Sequence, residues 1–356
     1  MEEFIVSARK YRPQDFKSVI GQEHITQTLY RAIRSNQLAH ALLFTGPRGV
    51  GKTTCARIVA RMINQTSDDD PTDYSLNIFE LDAASHNGVD DIRQLNEQVR
   101  IAPQVGRYKV YIIDEVHMLS SGAFNAFLKT LEEPPAYVKF ILATTEKHKI
   151  LPTILSRCQV YDFKRIGVDE IAAHLSRICQ KENISAEPMA LHVIAQKADG
   201  ALRDALSIFD KMVSFTGKHL TYADVIKNLN ILDYDYYFKI VDTLIKGDSW
   251  QLLLIFNEIL DKGHDGQIFL NGLASHLRDL LVTGNPRTRH LLEVPEDVRQ
   301  RYEEQAGQVL PNSIFKALKI INDTDYRYKS TYNQRLLTEL ALLQLIAPFR
   351  KEPPKK

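Results

Sequence analysis

Eight consecutive residues, Gly46-Pro47-Arg48-Gly49-Val50-Gly51-Lys52-Thr53, carry the spacing G-x-x-x-x-G-K-[ST]. Glycines at these positions let the backbone bend until successive N–H groups point at a β-phosphate. Lys52 then neutralises charge on the β- and γ-phosphates, and Thr53 offers its hydroxyl to Mg²⁺. A helix begins at Thr53 and Thr54, so its positive N-terminal end adds to the same field. An acidic pair, Asp114-Glu115, follows the apolar run Val110–Ile113. Phosphate chemistry of this kind needs a carboxylate on a neighbouring strand to hold Mg²⁺ through water, which is assigned to Asp114. Glu115 beside it is placed to orient or deprotonate an attacking water. Hydrolysis also needs positive charge on the γ-phosphate in the transition state. Arg157, in Ser156-Arg157-Cys158, and Arg203, in Gly200-Ala201-Leu202-Arg203-Asp204, are candidates, although spacing alone does not separate them from solvated surface arginines.

The elements that must hold these groups alternate. Up to about Arg165, short apolar runs are interleaved with longer amphipathic stretches, the pattern of an α/β domain with a parallel sheet. Strands are predicted at Ala41–Thr45, Asn77–Asp82, Lys109–Asp114 and Val138–Thr144, with a short fifth at Val160–Phe163. Helices are predicted at Thr53–Ile63, Val89–Ile101 and Gly122–Glu133, the last stopped by Pro134-Pro135. The phosphate-type loop therefore sits between a strand and a helix, the context that its motif requires. Beyond Arg165 the strands disappear. Asp169–Glu182, Pro188–Ala198 and Ala201–Ser214 carry helical periodicity, and everything from about Tyr222 again reads as helix. The lone Trp250 is expected to pack in that helical core. Lys351–Lys356 reads as the start of a Pro/Lys linker or a frayed end.

The 356 residues carry 45 Lys/Arg against 44 Asp/Glu, so net charge announces neither nucleic acid nor membrane. The balance conceals an asymmetry. Residues 1–64 hold ten bases and four acids, whereas residues 65–97 hold nine acids and the single base Arg93. Cys55, Cys158 and Cys179 are far apart and show no zinc-ligand spacing. Reduced thiols are expected. No leader pattern opens the chain, and no apolar run approaches the ~20 residues that span a bilayer. A soluble, cytoplasmic protein is expected.

Several longer runs carry a resemblance. Tyr11-Arg12-Pro13, Phe16 and Ile20-Gly21-Gln22 precede the phosphate-type loop, and Glu80-Leu81-Asp82-Ala83-Ala84-Ser85 follows it. Next come Asp114-Glu115-Val116-His117-Met118-Leu119 and Asn125-Ala126-Phe127-Leu128-Lys129-Thr130-Leu131-Glu132-Glu133-Pro134-Pro135. Leu142-Ala143-Thr144-Thr145, Ser156-Arg157-Cys158 and Gly200–Leu206 complete the set. Together these resemble the AAA+ clamp-loader ATPases, and among them the gamma/tau family of bacterial DNA polymerase III. The likeness is dense from Val6 to about Phe215 and weaker beyond, where it rests on helical content and the Asn333-Gln334-Arg335 helix.

The resemblance implies an AAA+ α/β P-loop domain at 1–165, an all-α lid at 166–220 and an all-α collar at 221–350. It implies an ATP hydrolase using ATP and Mg²⁺ to load a sliding clamp onto primed DNA, as a subunit of the polymerase holoenzyme. A scaffold subunit that lends an arginine without turning over ATP is the alternative, disfavoured by intact Lys52, Thr53, Asp114 and Glu115. Partners would be delta- and delta-prime-type subunits, further copies in a ring, the clamp and DNA. Tyr11, Arg12, Pro13 and Ile20 would line an adenine pocket, and Thr144 or Thr145 would sense the γ-phosphate. Arg157 would be an arginine finger acting on a neighbouring subunit, and Arg203 a second sensor on the lid. Arg93, Lys129 and Thr153 would meet DNA phosphates, contacts that position a duplex without reading its sequence. The family's four-cysteine zinc module has no counterpart, because Asn64–Asp73 contains no cysteine. No zinc is expected, and this acidic run is expected to be a solvated loop.

Overall fold

The apolar strand runs are long enough to be buried on both faces, and the fold uses both. A computed structural model describes residues 5–66, 72–292, 294 and 296–350. Five strands, β1 (Ala41–Thr45), β2 (Ile78–Asp82), β3 (Lys109–Asp114), β4 (Val138–Thr144) and β5 (Gln159–Asp162), form one parallel sheet in the order β2-β3-β4-β1-β5. Because side chains alternate along a strand, each strand divides its residues between two cores. Leu43, Tyr111, Ile113, Phe140 and Leu142 face helices α4 (Val89–Val99), α5 (Ser121–Glu132) and α6 (Pro152–Leu155). Leu42, Phe44, Val110, Ile112, Ile141 and Ala143 face α2 (Glu23–Arg34) and α3 (Lys52–Met62). Register brings the strands' C-terminal ends level, with Thr45 opposite Thr144 and Asp114 opposite Asp82. That edge carries the site.

The chain divides into two compact units. The first comprises residues 1–185 and 194–218, and adds α1 (Ser7–Lys10), α7 (Val168–Glu182) and α9 (Leu202–Thr216) to the sheet domain. Short helix α1 is tied to α9, since Ser7 N–H donates to Asp210 Oδ2 at 2.7 Å. The second unit comprises residues 186–193 and 219–356, with helix α8 (Pro188–Lys197) contributing its first part. After α10 (Tyr222–Asn228), its core is built from α11 (Tyr234–Lys246), α12 (Ser249–Asp261), α13 (Gly266–Thr283), α14 (Glu296–Ala306), α15 (Pro311–Tyr328) and α16 (Gln334–Phe349). Buried His276 is part of a closed polar network there. Gln305 donates to Phe238 O and Asp242 Oδ1, which leaves its Oε1 to accept from His276 Nε2 at 3.0 Å and His276 Nδ1 to accept from Tyr302 O–H at 2.8 Å. Burial pushes the pKa of this histidine down to about 4, so it packs as a neutral side chain.

Three expectations are corrected. Trp250 is 79% exposed: Leu252, Ile255, Phe256 and Ile259 define the inward stripe of α12, and position 250 falls out of phase with it. Strands do not end at Arg165, because Ser185–Ala186 and His219–Leu220 form a two-residue ladder. The segment after α3 is not wholly solvated either. Asn64 is buried, its Oδ1 accepting from the N–H groups of Arg107 and Tyr108 at 3.0 and 2.7 Å. The remainder of that acidic run, residues 67–71, lies outside the described residues. Among the described residues, no helix is long and apolar enough to cross a membrane.

Candidate active site

The loop after β1 owes its path to glycine. Gly46 has φ 138°, and a Cβ there would collide with the Phe163 carbonyl. Gly49 has φ 78°, and its Cβ would press on Ala201 Cβ at 3.1 Å and Arg203 Cβ at 3.4 Å. The start of α9 thus rests directly on the loop, and Arg203 N–H donates to Gly49 O at 3.3 Å. Helix α3 then begins at Lys52, and its first N–H groups open toward the cradle. Lys52 is only 6% exposed and donates to Gly46 O and Pro47 O at 2.8 and 2.7 Å. Burial pushes its pKa below the usual lysine range, while the carboxylates of Glu115 and Asp114 partly hold it up.

Two strands meet at the other wall. Thr53 Oγ1 donates to Asp114 Oδ2 at 2.7 Å, bridging α3 and the end of β3. Glu115 follows in the left-handed region with φ 47°, a conformation costly for a side-chain-bearing residue and often found at functional sites. Its Oε2 accepts from Thr145 N–H at 3.3 Å and from Thr145 Oγ1 at 3.1 Å. Behind it lies His117, a residue to which sequence reasoning gave no role. Its side chain is 6% exposed, with Nδ1 3.0 Å from Thr144 Oγ1 and 3.4 Å from Glu115 Oε2, and Nε2 3.4 Å from Glu146 Oε1. Three polar groups from the ends of β3 and β4 therefore converge on one imidazole. The only sequence clue was its position three residues after Asp114.

A cavity of about 460 Å³ opens between these walls. It collects Tyr11, Arg12, Pro13, Ile20, Arg48, Gly49, Val50, Gly51, Lys52, Thr53, Thr54, Asp114, Glu115 and Arg203, drawn from five separate stretches of sequence. Gly46 and Pro47 do not line it and instead take the Lys52 ammonium on their carbonyls. Thr144 and Thr145 reach the cavity only through Glu115 and His117. Tyr11 is held at the mouth by Glu182, to whose carboxylate its hydroxyl donates. Burial, and then that carboxylate, push the phenol up to about 12. Arg57 also lines the cavity, braced by a two-pronged pair with Glu80 of β2. The set fits a polyphosphate with a divalent cation: backbone N–H groups at a helix start, one buried ammonium, and a hydroxyl–carboxylate pair of oxygen ligands.

The other expected residues lie elsewhere in the first unit. Arg157 is outside the cavity, its guanidinium donating to Glu132 Oε1 at 2.6 Å and to Thr153 O at 2.7 Å. Arg93, Lys129 and Thr153 are exposed on α4, α5 and α6, the three helices covering one face of the sheet. Helices α4 and α5 are stitched together by Asn96, which donates to Ala126 O and accepts from Thr130 Oγ1. Arg93 is paired with Asp90 at 2.9 Å. Among the described residues, no group of three or more His, Cys, Asp or Glu side chains is arranged to hold a metal.

Comparison with known proteins places these features. Residues 21–167 match the family described as DNA polymerase III, delta subunit, and residues 170–218 match the DNA polymerase III clamp loader subunit, ATPase lid domain. Residues 220–356 match DNA polymerase III subunits gamma and tau domain III. Among solved structures, a mutant RuvB from Thermotoga maritima aligns with a TM-score of 0.51 at 22% identity, over 66% of this chain and 80% of that one. That likeness is one of fold, an AAA+ sheet domain followed by helices. DNA polymerase III subunit tau of Bacillus subtilis is 40% identical over 95% of this chain and 62% of its own length, and the Escherichia coli tau subunit is 40% identical over 98% and 56%. The chain thus spans roughly three-fifths of the length of these relatives. DNA polymerase III subunit gamma of Buchnera aphidicola is 42% identical over 72% of this chain and 73% of its own length. With a lid and a helical C-terminal unit following the sheet domain, the chain belongs to the gamma/tau subunit family of DNA polymerase III, the family of its clamp-loader ATPases.

Proposed function

We propose that this chain is the ATP-hydrolysing motor subunit of a cytoplasmic clamp loader, which works with delta- and delta-prime-type subunits and further copies of itself to place a sliding clamp on primed DNA. The observation that carries this is the Thr53–Asp114 bond of 2.7 Å beside buried Lys52, a preformed pair of oxygen ligands next to a preformed cation. Bound ATP with Mg²⁺ supplies the phosphoanhydride and the ion that neutralises its charge. Everything else falls to the chain. Lys52 exchanges the carbonyls of Gly46 and Pro47 for phosphate oxygens, with loop N–H groups from Arg48 to Thr54 around it. Thr53 and Asp114 would hold the cation, which would neutralise phosphate charge there. Glu115 orients the attacking water or takes its proton. Thr144 or Thr145, bonded to Glu115 directly or through His117, registers the γ-phosphate. Tyr11, Arg12, Pro13 and Ile20 enclose the base, and Arg203 contacts the phosphates from the lid.

Arg157 points away from its own cavity and is held by an exposed carboxylate, Glu132, which a neighbouring subunit's nucleotide can outcompete. It acts in trans. Arg93, Lys129 and Thr153 sit on adjoining helices of one exposed face and take DNA phosphates. The organisation proposed is a nucleotide domain at 1–165, a lid at 166–220 and an oligomerising collar at 221–350. The test is ATP turnover by this chain with its partner subunits, with and without clamp and primed DNA. Stimulated turnover that Lys52→Ala abolishes is expected; turnover by Lys52→Ala within about twofold of the parent overturns the assignment.

A further inference from the structure

The neighbours of His117 decide which of its ring nitrogens carries the proton. Thr144 is fully buried, and its hydroxyl oxygen already accepts from Glu146 N–H at 3.0 Å. The hydroxyl proton therefore needs an acceptor, and among the described residues His117 Nδ1, at 3.0 Å, is the one it meets. A proton on Nδ1, in a neutral or a charged ring, would leave that buried hydroxyl proton unpaired, which folded proteins rarely tolerate. The other nitrogen points the same way. Nε2 faces Glu146 Oε1 at 3.4 Å, and Lys149 Nζ, 2.9 Å from Glu146 Oε2, holds that carboxyl below the usual carboxylate range. A bare Nε2 would turn its lone pair on an anion. Thr144 and Glu146 thus both select the neutral ring protonated on Nε2.

The choice of tautomer matters to Glu115. Its Oε2 lies 3.4 Å from the same Nδ1, but a nitrogen that accepts from Thr144 has no proton to offer it. Oε2 is bonded instead by Thr145, whose N–H and hydroxyl donate at 3.3 and 3.1 Å. The ring closes one side of the carboxylate and Thr145 holds the other, above a backbone set at φ 47°. Glu115 lines the nucleotide-type cavity, and among the described residues its Oε1 takes no hydrogen bond.

We propose that His117 is a positioning residue for Glu115: held as the Nε2–H tautomer between Thr144 and Glu146, it sets a bare nitrogen against Oε2, keeps the carboxylate on Thr145 and leaves Oε1 for the attacking water. The positioning role rests on reading this cavity as a site of ATP hydrolysis; the tautomer does not.

The tautomer is read by nitrogen NMR of the nucleotide-free chain with isotope-labelled histidine, above neutral pH. The chain has 11 histidines, and the spectrum of His117→Gln identifies the His117 signals by their loss. Nδ1 should be unprotonated, and its signal should shift in Thr144→Val, which removes the donor. A protonated Nδ1, or one that Thr144→Val leaves unmoved, overturns the proposal. Positioning is read by ATP hydrolysis of the chain with its partner subunits. His117→Ala should lower kcat about tenfold while KM and nucleotide affinity stay within about twofold, because a displaced base is felt only in the transition state. His117→Asn, whose side-chain oxygen can take the place of Nδ1 as acceptor for Thr144, should recover most of that loss. Unchanged kcat in His117→Ala overturns the role, and so does a loss of nucleotide affinity as large as the loss of kcat, the mark of packing alone. If Glu115→Gln hydrolyses ATP as fast as the parent, the hydrolysis reading itself has failed, and the positioning role falls with it whatever the nitrogen spectrum shows.

Discussion

Replacing Thr144 with valine alters almost no volume but deletes every hydrogen bond of a fully buried hydroxyl. That oxygen accepts from Glu146 N–H at 3.0 Å and lies 3.0 Å from His117 Nδ1. A buried polar group left without its partner costs about 1–3 kcal/mol. His117 keeps Glu115 and Glu146 at 3.4 Å, so the lower half of that range applies to it. The total is about 2–5 kcal/mol, and at ~2–4 °C per kcal/mol the thermal midpoint falls by roughly 4–20 °C. Thr145→Val is the control, because it removes only the 3.1 Å hydroxyl bond to Glu115 from a half-buried site and should cost about 1 kcal/mol or less. Calorimetry of the nucleotide-free chain reads both. With His117 released from Thr144, turnover should drop while nucleotide affinity stays within about threefold, the pattern of a contact used only in the transition state. A Thr144→Val midpoint no lower than that of Thr145→Val would refute the network as the structural link between the ends of β3 and β4.

Three further outcomes are expected. Glu115→Gln should retain ATP binding and slow single-turnover hydrolysis by about 10²-fold or more, the scale of a lost general base; hydrolysis near the parent rate would remove Glu115 from the chemistry. Arg157→Ala subunits mixed with Lys52→Ala subunits should recover part of the ATPase that each lacks alone, since an arginine finger contributes ~10³–10⁵ where it completes a site; no recovery in confirmed mixed assemblies would place Arg157 in cis. Charge reversal at Arg93 and Lys129 together should leave basal ATPase intact, abolish its stimulation by primed DNA and flatten the salt dependence of DNA binding by about one counterion per residue; unchanged stimulation would move the basic face elsewhere.

The parts of this protein that were legible in the sequence are those governed by short-range rules. Val110–Ile113 is apolar at every position because both faces of a central parallel strand are covered, and so it stands out as a strand. The loop of Gly46–Thr53 is legible because its conformation depends on glycine. His117 was not, since its value comes from three groups at the ends of two strands meeting on one ring, and nothing in a local window encodes that convergence. Trp250 misled for a related reason: size and apolarity argue for burial, but the phase of α12 decides the matter. Arg203 could not be ranked among surface arginines because its significance lies in the docking of α9 on the loop, a contact between residues more than 150 positions apart.

The bond from Arg203 N–H to Gly49 O is short in reach and long in effect. It joins the backbone of the phosphate-type loop to the first turn of α9, so a peptide rotation at Gly49 cannot occur without breaking a contact to that helix. One such bond is worth about 1 kcal/mol, roughly a fivefold change in an equilibrium constant. Linkage makes the exchange symmetrical: if an occupant of the loop biases the position of α9 by that factor, any force on α9 biases the occupancy of the loop by the same factor. Load on the helix and affinity at the loop are then two readings of one quantity.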